Sequence, residues 1–293
     1  MNKLVKGVYA AVLTPRHADL SIDEGGFGRL LDFLSTKGLN GFAINGATGE
    51  FPLTTPLDLE RILAIVRGAL GSVTPWLCGV GATSLAGCLE LGAIAARFGA
   101  RGLLLPMPYF FPYDQADLDA FVRPAADQLS LPMLLYNLPQ FTTGLDAETS
   151  VRLIAECGNV VGIKDSSGSL DTLRALTASG IDGCRIVGND SALAPALREG
   201  ICDAVVSGVA GVLPELVRAV FDSDARNVGA VEALDQFIAQ IEPLPTPWGL
   251  KWAAESRGIM HATFAQPLSN PRIAQGEALK RWLAAWPHRP DAH

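Results

Sequence analysis

The chain has 293 residues, 49% hydrophobic and 18% charged, with a mean hydropathy of +0.26, enough for a large core in one big α/β domain or two ordinary ones. Thirty acidic residues against 23 basic ones give a net charge of −7 with no Lys/Arg block, which argues against nucleic acid or an anionic membrane as partner. No segment approaches the ~20 uninterrupted apolar residues that a membrane helix needs.

The opening, "MNKLVKGVYAAVLTPRH", sets two lysines before an apolar run, as a secretion signal would. The run is short, contains Gly7 and Tyr9 and lacks a small-residue cleavage site, so it reads as a first strand ending at Thr14. Gly26 to Lys37 carries Phe27, Leu30, Leu31 and Leu34 on one helical face. "GFAINGATGE" is a second strand ending near Asn45, and "TTPLDLE" opens a helix over Pro56–Leu70 with a Thr cap and a first-turn proline. "WLCGVGATS" ends a third strand near Gly81 and is followed by a helix over Leu85–Phe98. "RGLLLPMPYF" ends a fourth near Pro106, before a helix over Gln115–Leu129. "PMLLYNLP" ends at Tyr136 and Asn137, with a helix over Ala147–Cys157. "VVGIKDSSG" ends at Lys164, with a helix over Leu170–Ala178. "CRIVGND" ends at Gly188 and "DAVVSGVAG" at Ser207, each before one more helix, Ala192–Glu199 and Pro214–Phe221. Three further helical stretches follow, 224–241, 246–257 and 272–286, the first two separated by the proline-rich "EPLPTPWG".

Strands that are continuous apolar runs and alternate with helices make a parallel sheet covered by helices. Eight such units in about 220 residues predict a closed (β/α)8 TIM barrel over 1–222. Residues 223–293 form a C-terminal three-helix extension packed on it as one structural unit. An open doubly wound sheet would more often show G-x-G-x-x-G after its first strand, where "VLTPRH" stands. The five cysteines (78, 88, 157, 184, 202) are scattered, odd in number and without C-x-x-C spacing, which suits free thiols in a reducing cytoplasm. His17, His261, His288 and His293 show no metal-ligand spacing, so no metal site is expected.

Active sites of such barrels lie at the C-terminal ends of the strands, and there Lys164, Tyr136 and Thr48 share one rim. By itself Lys164 is a strand-end lysine that could snorkel to water or serve as a nucleophile on a carbonyl. Its position on the rim, with a tyrosine on the next strand, favours the second use.

"GATGE" (46–50), "YNLP" (136–139) and "GIKDSSG" (162–168), with "LTP" (13–15) and "GND" (188–190) at matching places, resemble the dihydrodipicolinate synthase/N-acetylneuraminate lyase family over nearly the whole chain. The resemblance implies class I aldolase chemistry. Lys164 would form a Schiff base with the ketone of pyruvate or another 2-oxo acid, with no external cofactor, because the iminium is itself the electron sink. Burial at an apolar strand end favours the neutral amine that attack requires. Tyr136 would move protons. Gly46, Ala47, Thr48 and Gly49 would hold the 2-oxo acid's carboxylate through backbone N–H groups and the Thr48 hydroxyl. Glu50 reads as fixing that loop or capping a helix, and Asp165 as structural. Ser166, Gly188, Asn189, Asp190 and Ser207 are expected to bind substrate, with Thr142, Thr143 and Ser167 as further contacts to a hydroxylated tail. A homotetramer, a dimer of dimers, is also implied, and the apolar "PYFFPY" loop suits an intersubunit patch or a pocket wall.

The sequence departs from the family pattern in three places. Ala47 stands where many members carry a hydroxyl. Phe110, beside Tyr109, stands where many carry a tyrosine lent by a neighbouring subunit. "YNLPQFTTG" has Gln140 and no arginine after "YNLP". The hydroxyl relay would therefore be lost unless Tyr109 or Tyr113 replaces it, and a pocket without that cation suits a carboxylate-bearing aldehyde poorly. The leading expectation is a lyase that cleaves a 2-keto-3-deoxy sugar acid to pyruvate and an aldehyde. The alternatives are 4-hydroxy-tetrahydrodipicolinate synthase (dihydrodipicolinate synthase), a keto-deoxy sugar acid dehydratase, 4-hydroxy-2-oxoglutarate aldolase, and a retired homologue that binds 2-oxo acids.

Overall fold

The strands are set by short runs of residues too apolar to leave the interior. In the computed structural model, which describes residues 3–288, they are β1 (Gly7–Ala11), β2 (Gly41–Ile44), β3 (Trp76–Gly79), β4 (Gly102–Pro106), β5 (Met133–Asn137), β6 (Val160–Asp165), β7 (Cys184–Val187) and β8 (Ala204–Ser207). Each pairs in parallel with the next, and β8 pairs with β1, closing the (β/α)8 TIM barrel. Side chains alternate between two cores, as the period of a strand requires. Tyr9, Ala43, Leu77, Leu104, Leu134, Ile186 and Val206 fill the barrel interior. Val8, Phe42, Cys78, Leu103, Leu135, Ile163 and Val205 face the surrounding helices.

The helices follow the sequence signals with small shifts at their ends. α1 (Glu24–Ser35) starts two residues before the expected Gly26, because the Asp23 side chain accepts from the Gly26 amide. α2 (Pro56–Leu70) begins at a full capping box between Thr55 and Asp58, worth about 1 kcal/mol. α3 (Leu85–Phe98), α4 (Gln115–Gln128), α5 (Ala147–Glu156), α6 (Asp171–Ser179), α7 (Leu193–Arg198) and α8 (Pro214–Phe221) complete the ring.

Beyond the barrel lie α9 (Val228–Ile241), α10 (Trp248–Ser256) and α11 (Asn270–Ala285). α9 starts later than the expected residue 224, because Asp224 and Ala225 adopt positive φ (49° and 58°) and Asn227 caps the helix instead. α10 packs on α9 and α11 and reaches the barrel through Leu250 and Lys251. All five cysteines are free thiols, four of them buried. Among the described residues no helix is long and apolar enough to cross a membrane. The outer limits of the expected units 1–222 and 223–293, with His293, lie outside the described residues.

Candidate active site

Lys164 reaches the barrel interior because of an irregularity in β6. Met133 pairs with Val160 but Leu134 pairs with Gly162, so Val161 is an extra residue, a bulge. Val160 packs with the helix-facing core and Val161 against the interior one. Beyond the bulge Ile163 faces the helices and Lys164 lies beside Tyr136 on β5. Unbroken alternation from Val160 would have turned Lys164 outward with it. Gly162 makes the bulge possible: its φ is 149°, and a Cβ there would stand 2.4 Å from the Cys184 backbone N and O.

The Lys164 Nζ donates to the Tyr136 Oη at 2.7 Å and lies 3.9 Å from the ring centroid. Both side chains are buried, with 3% and 2% exposure. They close the floor of a cavity of about 340 Å³. Gly188 on its wall leaves room for the lysine stem, since a Cβ there would lie 2.8 Å from Lys164 Cε. Ser166 lines the same wall, its Oγ buried without a hydrogen-bond partner among the described residues. Asn189 and Asp190 line the cavity too. Burial pushes the Asp190 carboxyl above its ordinary range, against hydrogen bonds from Ser207 and the Val209 amide and the charge of Lys164. Ser207 does not line the cavity. Its hydroxyl donates to Asp190 and accepts from the Ala210 amide at 2.8 Å.

The loop after β2 turns sharply. Asn45 and Glu50, at its two ends, both have φ of 57°. The Glu50 amide donates to the Ala47 carbonyl at 3.0 Å and the Phe51 amide to the Gly46 carbonyl at 3.2 Å. The amides of Thr48 and Gly49 stay outside these two bonds. Ala47 and Thr48 line the cavity, whereas Gly46 and Gly49 form the turn behind them. Glu50 stands at the N-terminal end of a single 3-10 turn, Phe51–Leu53, without a side-chain capping bond, and does not line the cavity; its carboxylate meets Lys251 of α10 at 2.5 Å.

Several residues read from the sequence as substrate contacts do not reach the cavity. Thr142 Oγ1 donates to the Leu138 carbonyl at 3.1 Å and Ser167 Oγ accepts from the Ser169 amide, both shaping local turns, while Thr143 Oγ1 accepts from the Tyr113 amide and ties its loop to the one after β4. Tyr109 packs edge-on to Phe51 at 5.9 Å, and Phe110 points to solvent with 86% exposure and a φ of 88°. Asp165 accepts from the Ser167 amide and from the Asn137 side chain, and does not line the cavity. Sequence reasoning missed a further part of the lining, Ile238, Ile241, Glu242 and the segment Leu244–Pro247. Its signal was the proline-rich break in "EPLPTPWG", which keeps that stretch out of a helix.

The profile of the Dihydrodipicolinate synthetase family matches residues 4–285. The chain is 33% identical over 282 residues to 4-hydroxy-tetrahydrodipicolinate synthase 1 of Streptomyces coelicolor, covering 94% of this chain and 91% of that protein. It is similar in structure, with a TM-score of 0.87 and 26% identity, to a chloride-inhibited dihydrodipicolinate synthase from Acinetobacter baumannii complexed with pyruvate. That match covers 96% of this chain and 98% of the other. The same values hold for YagE, a prophage protein of the dihydrodipicolinic acid synthase family from E. coli K12, also in complex with pyruvate.

Proposed function

The chain belongs to the dihydrodipicolinate synthetase family, and from that premise we propose that it makes or breaks a carbon–carbon bond next to an imine formed by Lys164 with pyruvate. The observation that carries this reading is the buried Lys164 Nζ to Tyr136 Oη hydrogen bond at the floor of the cavity. The neutral amine attacks the ketone carbon, the carbinolamine loses water, and the iminium accepts the electron pair left when the adjacent bond breaks. Tyr136 is within reach to give a proton to the leaving hydroxyl and to take one from the aldehyde-forming alcohol. Thr48 and the loop amides would hold the carboxylate, and no external cofactor is called for.

Two readings of the second substrate are carried by different observations. The names of the relatives favour 4-hydroxy-tetrahydrodipicolinate synthase over the sugar-acid lyase that the sequence put first. The cavity lining supports the sugar-acid lyase. Among the described residues it holds no arginine and no lysine besides Lys164, while Gln140 is tied to the Ser166 carbonyl at 2.9 Å, the Ser166 hydroxyl has no partner, and Asp190 and Glu242 line the space. An aldehyde with its own carboxylate would lack a counter-charge there, whereas hydroxyl groups would find acceptors.

The test is incubation with pyruvate and borohydride followed by peptide mass mapping. An adduct on Lys164 supports the imine, and no adduct, with an active relative as control, would remove it. Condensation of pyruvate with aspartate semialdehyde, and pyruvate release from 2-keto-3-deoxy sugar acids, then separate the two substrates. Turnover in either assay disposes of the retired-homologue reading. We further propose a cytoplasmic homotetramer in which the exposed Phe110 and Phe111 pack between subunits, with residues 223–293 as an extension of the barrel. Sedimentation as a monomer at micromolar concentration would reject the assembly.

A further inference from the structure

The most deeply buried charge of the C-terminal extension is Lys251, with 1% exposure. Its Nζ donates to the Thr263 carbonyl at 2.6 Å and lies 2.5 Å from the Glu50 carboxylate. Taking both charges out of water costs several kcal/mol per ion, and the pair's mutual attraction recovers this only in favourable geometry. Burial drives the Lys251 pKa down, against the charge and hydrogen bond of Glu50, and the nearby Arg16 lowers it further. Replacing such a pair by apolar residues would often be neutral for stability, so stability alone does not explain it.

What the pair joins is more informative. Glu50 ends the turn that begins at Gly46, and its φ of 57° is a backbone state that a residue with a side chain holds only when its surroundings fix it. On the other side, Leu250 precedes Lys251 and lines the cavity. A Cβ on Gly208 would lie 2.9 Å from Leu250 Cδ1 and 3.3 Å from Thr48 Oγ1, so helix, strand end and loop meet at one point. Arg16 adds a tie further along, donating to the Leu53 carbonyl and Thr54 Oγ1 at 3.5 and 3.4 Å. The loop that presents Thr48 is thus pinned at its far end to a helix outside the barrel.

We infer that Lys251 is a positioning residue: through its ion pair with Glu50 it fixes the Gly46–Gly49 turn and so sets the affinity of the site for the carboxylate of a 2-oxo acid. This rests on the imine reading above and adds the extension to the binding machinery. Such an interaction is made equally in ground and transition states, so its loss raises the substrate concentration required without slowing the chemistry.

The experiment measures the rate of borohydride-trapped adduct on Lys164 against pyruvate concentration in the full chain. The double variant Glu50→Gln/Lys251→Met removes both charges of the pair together, so neither is left facing a missing partner. Its half-saturating pyruvate concentration rises about tenfold or more while the rate at saturation stays within about twofold. Glu50→Asp keeps both charges but shortens the arm by one methylene, and it raises half-saturation in the same sense. If the double variant shows no cooperative melt, Glu50→Asp decides alone. Unchanged half-saturation in the folded variants, or a fall in the saturated rate at unchanged half-saturation, overturns the inference. No adduct in the unmodified protein removes the imine reading and the inference with it.

Discussion

Gly188→Ala tests whether the packing of the lysine stem places the amine. The Gly188 backbone is outside the positive-φ region, so alanine meets no backbone penalty. The new Cβ would stand 2.2 Å from Ser166 Oγ, 2.8 Å from Lys164 Cε and 3.0 Å from Lys164 Cγ. Carbon atoms in contact prefer about 3.5–4.0 Å, so Cε must move by roughly 0.7–1.2 Å. Ser166 Oγ can rotate away without breaking a hydrogen bond, since it makes none among the described residues. The Gly188 amide keeps its 2.7 Å bond to the Asp165 carbonyl. The fold should therefore lose only about 1–3 kcal/mol, the usual cost of one methyl too many. A misplacement of ~1 Å at the reacting atom is worth about a hundredfold in rate, or ~2.7 kcal/mol of activation free energy. The assay is the initial rate of borohydride-trapped pyruvate adduct at saturating pyruvate, paired with a thermal melt. A folded Gly188→Ala protein that forms adduct at the unmodified rate would refute the reasoning.

The remaining predictions concern neighbouring parts of the same frame. Tyr136→Phe removes the partner of Lys164 Nζ, and turnover should fall by about 10²–10⁴-fold with a smaller change in half-saturating pyruvate; steady-state kinetics check the split. Gly162→Ala puts a Cβ 2.4 Å from the Cys184 backbone, which cannot move as a side chain can, so denaturant melts should show a loss of more than about 3 kcal/mol or no folded protein. Burial pushes the Asp203 carboxyl up, but hydrogen bonds from Arg185 and Lys3 more than offset it and hold it at about 2, below its ordinary 3.8. Its contribution is complete above pH ~4 and is lost as pH falls through ~2; Asp203→Asn should cost on the order of 1–2 kcal/mol at neutral pH and flatten the acid limb of the stability curve.

The barrel was legible because a parallel sheet buries both faces of each strand, which leaves continuous apolar runs at regular spacing that composition alone exposes. The rim was legible for a related reason: Tyr136 and Lys164 end neighbouring runs, and the parallel register makes them partners. A helix start was legible where a side chain caps it beside a first-turn proline, as at Thr55. The bulge was not. "VVGIKD" reads as ordinary strand, and nothing in it says that Val161 is the unpaired residue or that parity changes there. The hydroxyls of Thr142, Thr143 and Ser167 could not be assigned from sequence, because polarity marks a turn or a loop tie as readily as a binding site, and in the fold these three bond to neighbouring backbone. Lys251 was invisible, since a lysine in "GLKWAAES" looks like a solvated helix residue until the chain folds and buries it against Glu50.

The division between what could and could not be read follows the division of labour proposed for the site. The imine and the carboxylate loop depend on single residue types at strand ends, and such positions leave compact motifs. The second substrate would meet a wall assembled from the end of α9, the Leu244–Pro247 segment, Gln140 and Asp190, which are separated by up to about a third of the chain and obey no period. A chain could therefore keep the three motifs while its wall changes, because the lysine proposed to react and the wall proposed to select come from different elements. On this reading, Gln140→Arg should raise the preference for a carboxylate-bearing aldehyde over a hydroxylated one, and leave the pyruvate adduct on Lys164 unchanged. An unchanged preference would mean that selection is made elsewhere on the wall, with Glu242 the next charge to reverse.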